Sequence, residues 1–80
     1  MSIRYMKFTP TSGQDPFYFV GTDSDKMRAT AKHIDPTADR GQEIDSERVL
    51  AAAKTDRHRR IIEDGVRAAR AGATDYYLFG

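Results

Sequence analysis

Cysteine and tryptophan are both absent from this 80-residue chain. Without thiols, neither disulfides nor cysteine-ligated zinc can supplement the core of a chain this small, so apolar clusters must supply its folding free energy. A chain of this length is expected to form one domain, here residues 1–80. The lack of cysteine fits a reducing cytoplasm, which is the location we expect.

Strong net charge and long apolar segments are also missing. The formal net charge is only +1, which is too small to produce the long-range field that would imply a nucleic-acid or acidic partner. Arg4 and Lys7 interrupt the first ten residues, where a signal peptide needs its apolar region. We therefore expect a protein with no membrane span.

Three short segments are rich in the aromatic and β-branched residues that favour strands. Residues 3–8 and 17–20 flank the turn-forming stretch 9–16, which predicts a β-hairpin with a long connection. The third segment is 76–79. All aromatic residues lie in these segments, and a sheet covered on one face would leave some of its tyrosines exposed. Those tyrosines are Tyr5, Tyr18, Tyr76 and Tyr77.

A first helix is predicted between the hairpin and the middle of the chain. Met27, Ala31 and Ile34 follow at helical spacing after several residues suited to an N-cap, which predicts a helix over 24–33. Pro36 ends it, because a proline disfavours helical conformation in the preceding residue. Residues 37–45 are mostly polar and predict an exposed connection.

Residues 46–72 hold two apolar patches at helical spacing, separated by the polar segment 54–60. One continuous helix would be about 39 Å long at 1.5 Å per residue, which exceeds the width of so small a globule. Thr55 is suited to an N-cap, so we predict two helices, 46–54 and 56–71. Asp45 or Ser46 would cap the first, and Gly72 would end the second.

These elements predict an α+β fold. We expect a small two-layer sandwich in which a three-stranded sheet, the hairpin plus the 76–79 strand, is covered on one face by two or three helices. A helical crossover before the last strand would be right-handed and would leave that strand parallel to its neighbour.

The least ordinary local feature is a basic cluster in the polar middle of residues 46–72. Asp56 is the one acid among residues 54–60, and arginines continue along the second helix. This pattern fits a surface that binds phosphates or an acidic protein partner. It equally fits a solvated helix face in which Glu63 pairs with arginines four residues away. The candidate partner-binding residues, called the basic set below, are Lys54, Arg57, His58, Arg59, Arg60, Arg67 and Arg70.

Metal binding and catalysis have little support in the sequence. The residues that suggest a metal site are His33, Asp35, Asp39 and Glu43, an imidazole and three carboxylates in one stretch of the chain. A calcium loop starting at Asp35 would need a glycine and an acid where Arg40 and Ser46 stand. The two histidines are too few and too far apart for zinc, and no serine or threonine has the spacing of an activated nucleophile. We expect no cofactor and no enzymatic activity.

A resemblance narrows the class of protein. The opening MSIRYMKFTP with its predicted hairpin, the helical segment SERVLAAAK and the strand YYLFG resemble the build of small phage and mobile-element proteins that include the type I anti-CRISPRs. The resemblance implies a non-catalytic inhibitor in the host cytoplasm. Such a protein would bind a CRISPR surveillance complex and block recognition of target DNA or recruitment of the nuclease.

Three functions from different classes stay open. The leading hypothesis is a protein-binding inhibitor that uses the basic set and some exposed tyrosines, with a subunit of a CRISPR effector complex as its partner. The second is a small nucleic-acid-binding protein that contacts phosphates through residues 54–60. The third is a phage structural or assembly protein, which requires self-association. The chain would be a monomer or a homodimer, since an edge strand permits dimerisation.

Overall fold

Four strands and three helices form the fold of the residues that the structure describes, which confirms the predicted α+β class. The structure is a computed structural model that describes residues 2–38 and 40–80. No helix in that part of the chain is long and apolar enough to cross a membrane. In chain order the elements are β1 (Arg4–Phe8), β2 (Phe17–Gly21), α1 (Ser24–Ile34), β3 (Gly41–Ile44), α2 (Ser46–Ala52), α3 (Asp56–Arg70) and β4 (Tyr76–Phe79).

The strands form one sheet in the order β3-β1-β2-β4, and each neighbouring pair is antiparallel. The predicted hairpin is confirmed, because β1 pairs with β2 in a register that places Met6 opposite Phe19 and Tyr5 opposite Val20. The hairpin supplies the two central strands, while β3 and β4 are the edges.

Strand β3 lies in the segment that the sequence predicts to be an exposed connection, so this detail of the prediction is wrong. It pairs with β1, with Ile44 opposite Tyr5. Its residues, Gly-Gln-Glu-Ile, have weak strand propensity, and Gln42 and Glu43 are exposed. The strand forms because β1 offers an unpaired edge, which is a tertiary cause that local sequence does not carry.

The direction of β4 also differs from the expectation. Strand β4 is antiparallel to its neighbour β2, whereas a single helical crossover would have made the two parallel. Two helices, α2 and α3, separate β3 from β4. The first leads the chain away from one end of the sheet and the second returns it to that end, so β4 runs opposite to β3.

Helices cover both faces of the sheet, not one as the sequence predicts. On one face, Met27 and Ala31 of α1 join a buried cluster with Met6, Phe8 and the β2 phenylalanines. On the other face, α2 and α3 enclose a second cluster that contains Val20 and Leu78. The reason is that β2, Phe-Tyr-Phe-Val, is apolar on both sides and therefore needs cover on both sides.

The predicted break between α2 and α3 is confirmed. Asp45 caps α2 by accepting a hydrogen bond from Arg48 N–H, and Thr55 caps α3 by accepting one from His58 N–H. Helix α3 ends at Arg70, one residue before the predicted end, and Gly72 follows the cap residue Ala71 as predicted, with a φ of +108° that is readily adopted only by glycine. The amides of Gly72 and Ala73 donate to Ala69 and Ala68, which is the Schellman arrangement.

Helix α3 packs unusually close to the sheet at Gly65. A Cβ atom at this position would lie 2.6 Å from Leu78 Cδ2 and 2.8 Å from Val20 Cγ1. The missing side chain therefore lets the helix backbone approach β2 and β4. This contact fixes which face of α3 is buried and, as a result, which residues it presents to solvent.

Candidate binding surface

Helix α3 presents its arginines outside the face that it packs against the sheet. Its buried residues Ile62, Gly65 and Ala69 recur at spacings of three and four, which places them on one face. Its arginines occupy the remaining arc, because successive residues are rotated by about 100° around the helix. All of them are exposed: Arg57, Arg59, Arg60, Arg67 and Arg70.

Two of these arginines form ion pairs within α3. Arg59 Nη1 lies 3.6 Å from Asp56 Oδ1, and Arg67 Nη1 lies 3.8 Å from Asp64 Oδ1. Each pair joins exposed side chains three residues apart, an arrangement that contributes roughly 0.2–0.5 kcal/mol. Both guanidinium groups can therefore exchange these carboxylates for those of a partner at small cost.

The other three arginines of α3 have no ion-pair partner within residues 2–38 and 40–80. They are Arg57, Arg60 and Arg70. The predicted pairs between Glu63 and arginines four residues away are not formed in that part of the chain. Arg59 and Arg67 pair with Asp56 and Asp64 instead, so the arginines of α3 most open to an external partner are the three without an ion pair in the described residues.

His58 has a structural position that sets it apart from the arginines. Its ring stacks on Phe79 with centroids 4.5 Å apart and planes 10° from parallel. Its Nδ1 atom accepts a hydrogen bond from Lys54 N–H at 3.3 Å. His58 therefore joins the α2–α3 junction to β4. Lys54 and His58 line one cleft of about 410 Å³ together with Tyr18 and Phe79.

A second concave surface, the α2–α3 groove, lies between the two helices above β1. Its volume is about 480 Å³. Leu50 of α2, a long apolar side chain, is 49% exposed in this groove. Arg67 and Arg70 lie along its α3 side together with Glu63. The full lining is Tyr5, Ser46, Leu50, Ile62, Glu63, Val66, Arg67 and Arg70.

The structure divides the basic set between three places. Arg67 and Arg70 line the α2–α3 groove, and Lys54 and His58 line the cleft beside Phe79. The other members, Arg57, Arg59 and Arg60, lie on the outer surface of α3.

Sequence reasoning missed the apolar part of the groove, because Leu50 and Val66 fit the helical spacing of core residues. No feature of the local sequence distinguishes these two residues from core residues, since their exposure depends on how far apart α2 and α3 lie.

Of the carboxylates that the structure describes, two have hydrogen bonds that alter their acidity. The hydroxyl of Ser12 and both the hydroxyl and the amide of Thr37 donate to Asp35, and these bonds lower the pKa of its carboxyl. Hydroxyl bonds from Thr30 and Thr74 lower the pKa of Asp75 in the same way. Through these bonds Asp35 connects Ser12 to Thr37, and Asp75 connects Thr30 of α1 to Thr74 before β4.

Among the residues that the structure describes, no group of three or more histidine or acidic side chains could hold a metal ion. Asp39, considered above as a metal ligand, lies outside the described residues. His33 and Glu43 are exposed, whereas Asp35 is buried and bonded to hydroxyl groups.

In comparisons with protein-family models, curated proteins and solved structures, nothing matches this chain.

Proposed function

We propose that this chain is a non-catalytic protein-binding inhibitor whose contact surface is the α2–α3 groove with the adjoining arginines of α3. The observation that carries the proposal is Leu50, which is 49% exposed in a groove bordered by Arg67 and Arg70. An apolar anchor beside arginines is the composition that protein interfaces favour at their centres.

The partner is a protein segment that offers an apolar side chain to Leu50 and carboxylates to Arg67 and Arg70. Charge complementarity supports this choice, since the arginines of α3 outnumber its acids. Arginine also binds carboxylates in a bidentate geometry that lysine cannot match.

The narrower form of the proposal comes from the resemblance to type I anti-CRISPRs. In that form the protein acts in the host cytoplasm, and the carboxylates belong to a subunit of a type I CRISPR surveillance complex. Occupying that subunit would block recognition of target DNA. Imitation of DNA by an acidic surface suits this chain poorly, because its net charge is +1.

The test is binding of immobilised chain to a purified type I surveillance complex. The double reversal Arg67→Glu and Arg70→Glu is expected to weaken binding at least about tenfold, because like charges would then face the partner's carboxylates. The circular dichroism spectrum should stay unchanged, since both side chains are exposed.

A matched control is available on α1, which lies on the opposite face of the sheet. Arg28 forms an i,i+3 ion pair with Asp25 at 3.4 Å, and Lys32 lies in the last turn. Reversing Arg28 and Lys32 makes the same change in net charge as the groove variant and should leave binding intact. Equal affinity for wild type and the groove variant would show that the groove is not part of the interface. Absence of binding by wild type and by both variants would rule out this partner.

The second candidate function is nucleic-acid binding, which Arg57 and Arg60 favour because both are exposed and lack ion-pair partners in the described part of the chain. It predicts a gel shift of double-stranded DNA whose affinity falls steeply with salt. Replacing both arginines with glutamine should reduce the slope of log K against log salt by about 2. Absence of a shift at low ionic strength would exclude this function.

A further inference from the structure

We infer that the outer edge of β4 binds a second copy of this chain, so that two sheets join through antiparallel β4–β4 pairing. This interface is separate from the α2–α3 groove and is independent of the function proposed above. Strand β4 pairs with β2 on one side, and its other side has no strand partner within residues 2–38 and 40–80. Its outward N–H and C=O groups are therefore available to another strand.

The two edges of the sheet differ in how far they resist such pairing. Strand β3 carries Glu43, which forms an ion pair with Arg4 at 3.6 Å. Charged side chains of this kind are the usual protection of an edge strand. Strand β4 is Tyr-Tyr-Leu-Phe, with neither charge nor proline. Of the two edges, β4 is thus the one that lacks protection.

An exposed patch beside β4 combines large apolar side chains with polar ones. Tyr77 is 43% exposed and Ile34, at the end of α1, is 47% exposed. Both line a cleft of about 370 Å³ together with Phe17 and the polar residues Gln14 and Asp15. The ring of Tyr77 lies 6.2 Å from that of Phe17. A strand added at β4 would cover part of this patch as well as the open edge.

Charge distribution favours a second copy as the occupant. Antiparallel pairing centred on Tyr77 places Tyr77 against its own counterpart and Tyr76 against Leu78, which brings no charges together. Asp75 then lies opposite Phe79 and not opposite another acid. The same operation at β3 would bring two Glu43 side chains close to each other. A two-fold axis at Tyr77 gives a closed dimer, since each partner uses the same patch.

Sedimentation velocity over about 10 µM to about 1 mM, the range of weak complexes, tests this inference. Wild type is expected to shift from monomer to dimer as concentration rises. Tyr77→Lys should raise the dimer dissociation constant at least about tenfold, because two like charges would meet at the axis. Gln42→Lys, the matched control on the β3 edge, should dimerise as wild type does.

A second measurement keeps the inference testable if Tyr77→Lys fails to fold. The chain has no cysteine, so in a variant with one introduced cysteine any disulfide must join two copies of the chain at that position. Tyr77→Cys should form a disulfide-linked dimer under mild oxidation, whereas Gln42→Cys should stay monomeric. Wild type that remains monomeric throughout the concentration range would overturn the inference, as would equal cross-linking of the two cysteine variants.

Discussion

Asp35 shows how a single buried carboxylate can fix a long loop. Its side chain accepts a hydrogen bond of 2.6 Å from Ser12 Oγ and one of 2.7 Å from Thr37 Oγ1. The same threonine oxygen accepts bonds of 3.1 Å from the amides of Thr11 and Ser12. Asp35 thereby ties the β1–β2 loop to the end of α1. A proline follows Asp35 in the sequence, which predicts a helix end but not this network.

These hydrogen bonds make stability depend on pH. The Ser12 bond, followed by the bonds from Thr37, lowers the pKa of Asp35 from its ordinary value of 3.8. A carboxyl whose pKa is lower in the folded state stabilises the fold above its unfolded pKa, and this contribution is lost as pH falls through the folded pKa. Urea midpoints should therefore drop below pH 4 more steeply in wild type than in Ser12→Ala.

Ser12→Ala should also lower the urea midpoint at pH 7, and the difference from wild type should shrink as pH falls toward 2. Thr11→Ala is the matched control, because the Thr11 amide, not its hydroxyl, contacts Thr37. A constant difference between wild type and Ser12→Ala at pH 7 and pH 2 would contradict the role assigned to the charged Asp35.

At the scale of elements, the sequence predicts those whose signal is local. The hairpin, α1, the cap at Thr55 and the glycine at 72 all follow from residues within a few positions of one another. Strand β3 does not follow from local sequence, because Gln42 and Glu43 become a strand only by pairing with the edge of β1. The two-sided cover of the sheet could have been predicted from the continuous apolar run of β2, which is typical of a strand buried on both faces.

Part of the candidate surface can likewise be predicted from local sequence, and part arises only in the tertiary fold. The exposed arginines of α3 follow from its apolar spacing, which identifies the outward face directly. The groove does not follow, because Leu50 belongs to α2 and Tyr5 to β1, and only the packed fold brings them beside Val66. Whether an apolar residue becomes core or binding surface depends on the neighbouring helix, which spacing within one helix cannot show.

At the scale of the whole molecule, the sheet separates the two apolar clusters, and the elements that enclose them differ in how many buried residues hold them in place. Central strand β2 has four buried residues and is paired on both sides. Helix α2, with seven residues, has one buried residue, Val49. A helix this short is marginal without tertiary packing. Stability should therefore be lowest at α2, which forms one wall of the proposed groove, and binding elements are often the less stable parts of a fold.

Native-state hydrogen exchange would measure this difference. Amides of residues 50–53 should exchange through local opening of α2, with a free energy at least about 2 kcal/mol below that of Phe19 and Val20 in β2. Met27→Ala, which removes a buried side chain from the other cluster, should lower the opening free energy of the β2 amides and leave the α2 amides unchanged. The reason is that local opening of α2 does not expose Met27, whereas global unfolding does. Equal opening free energies for α2 and β2 in wild type would mean that the groove wall unfolds only with the whole chain, and the groove would then be as rigid as the sheet.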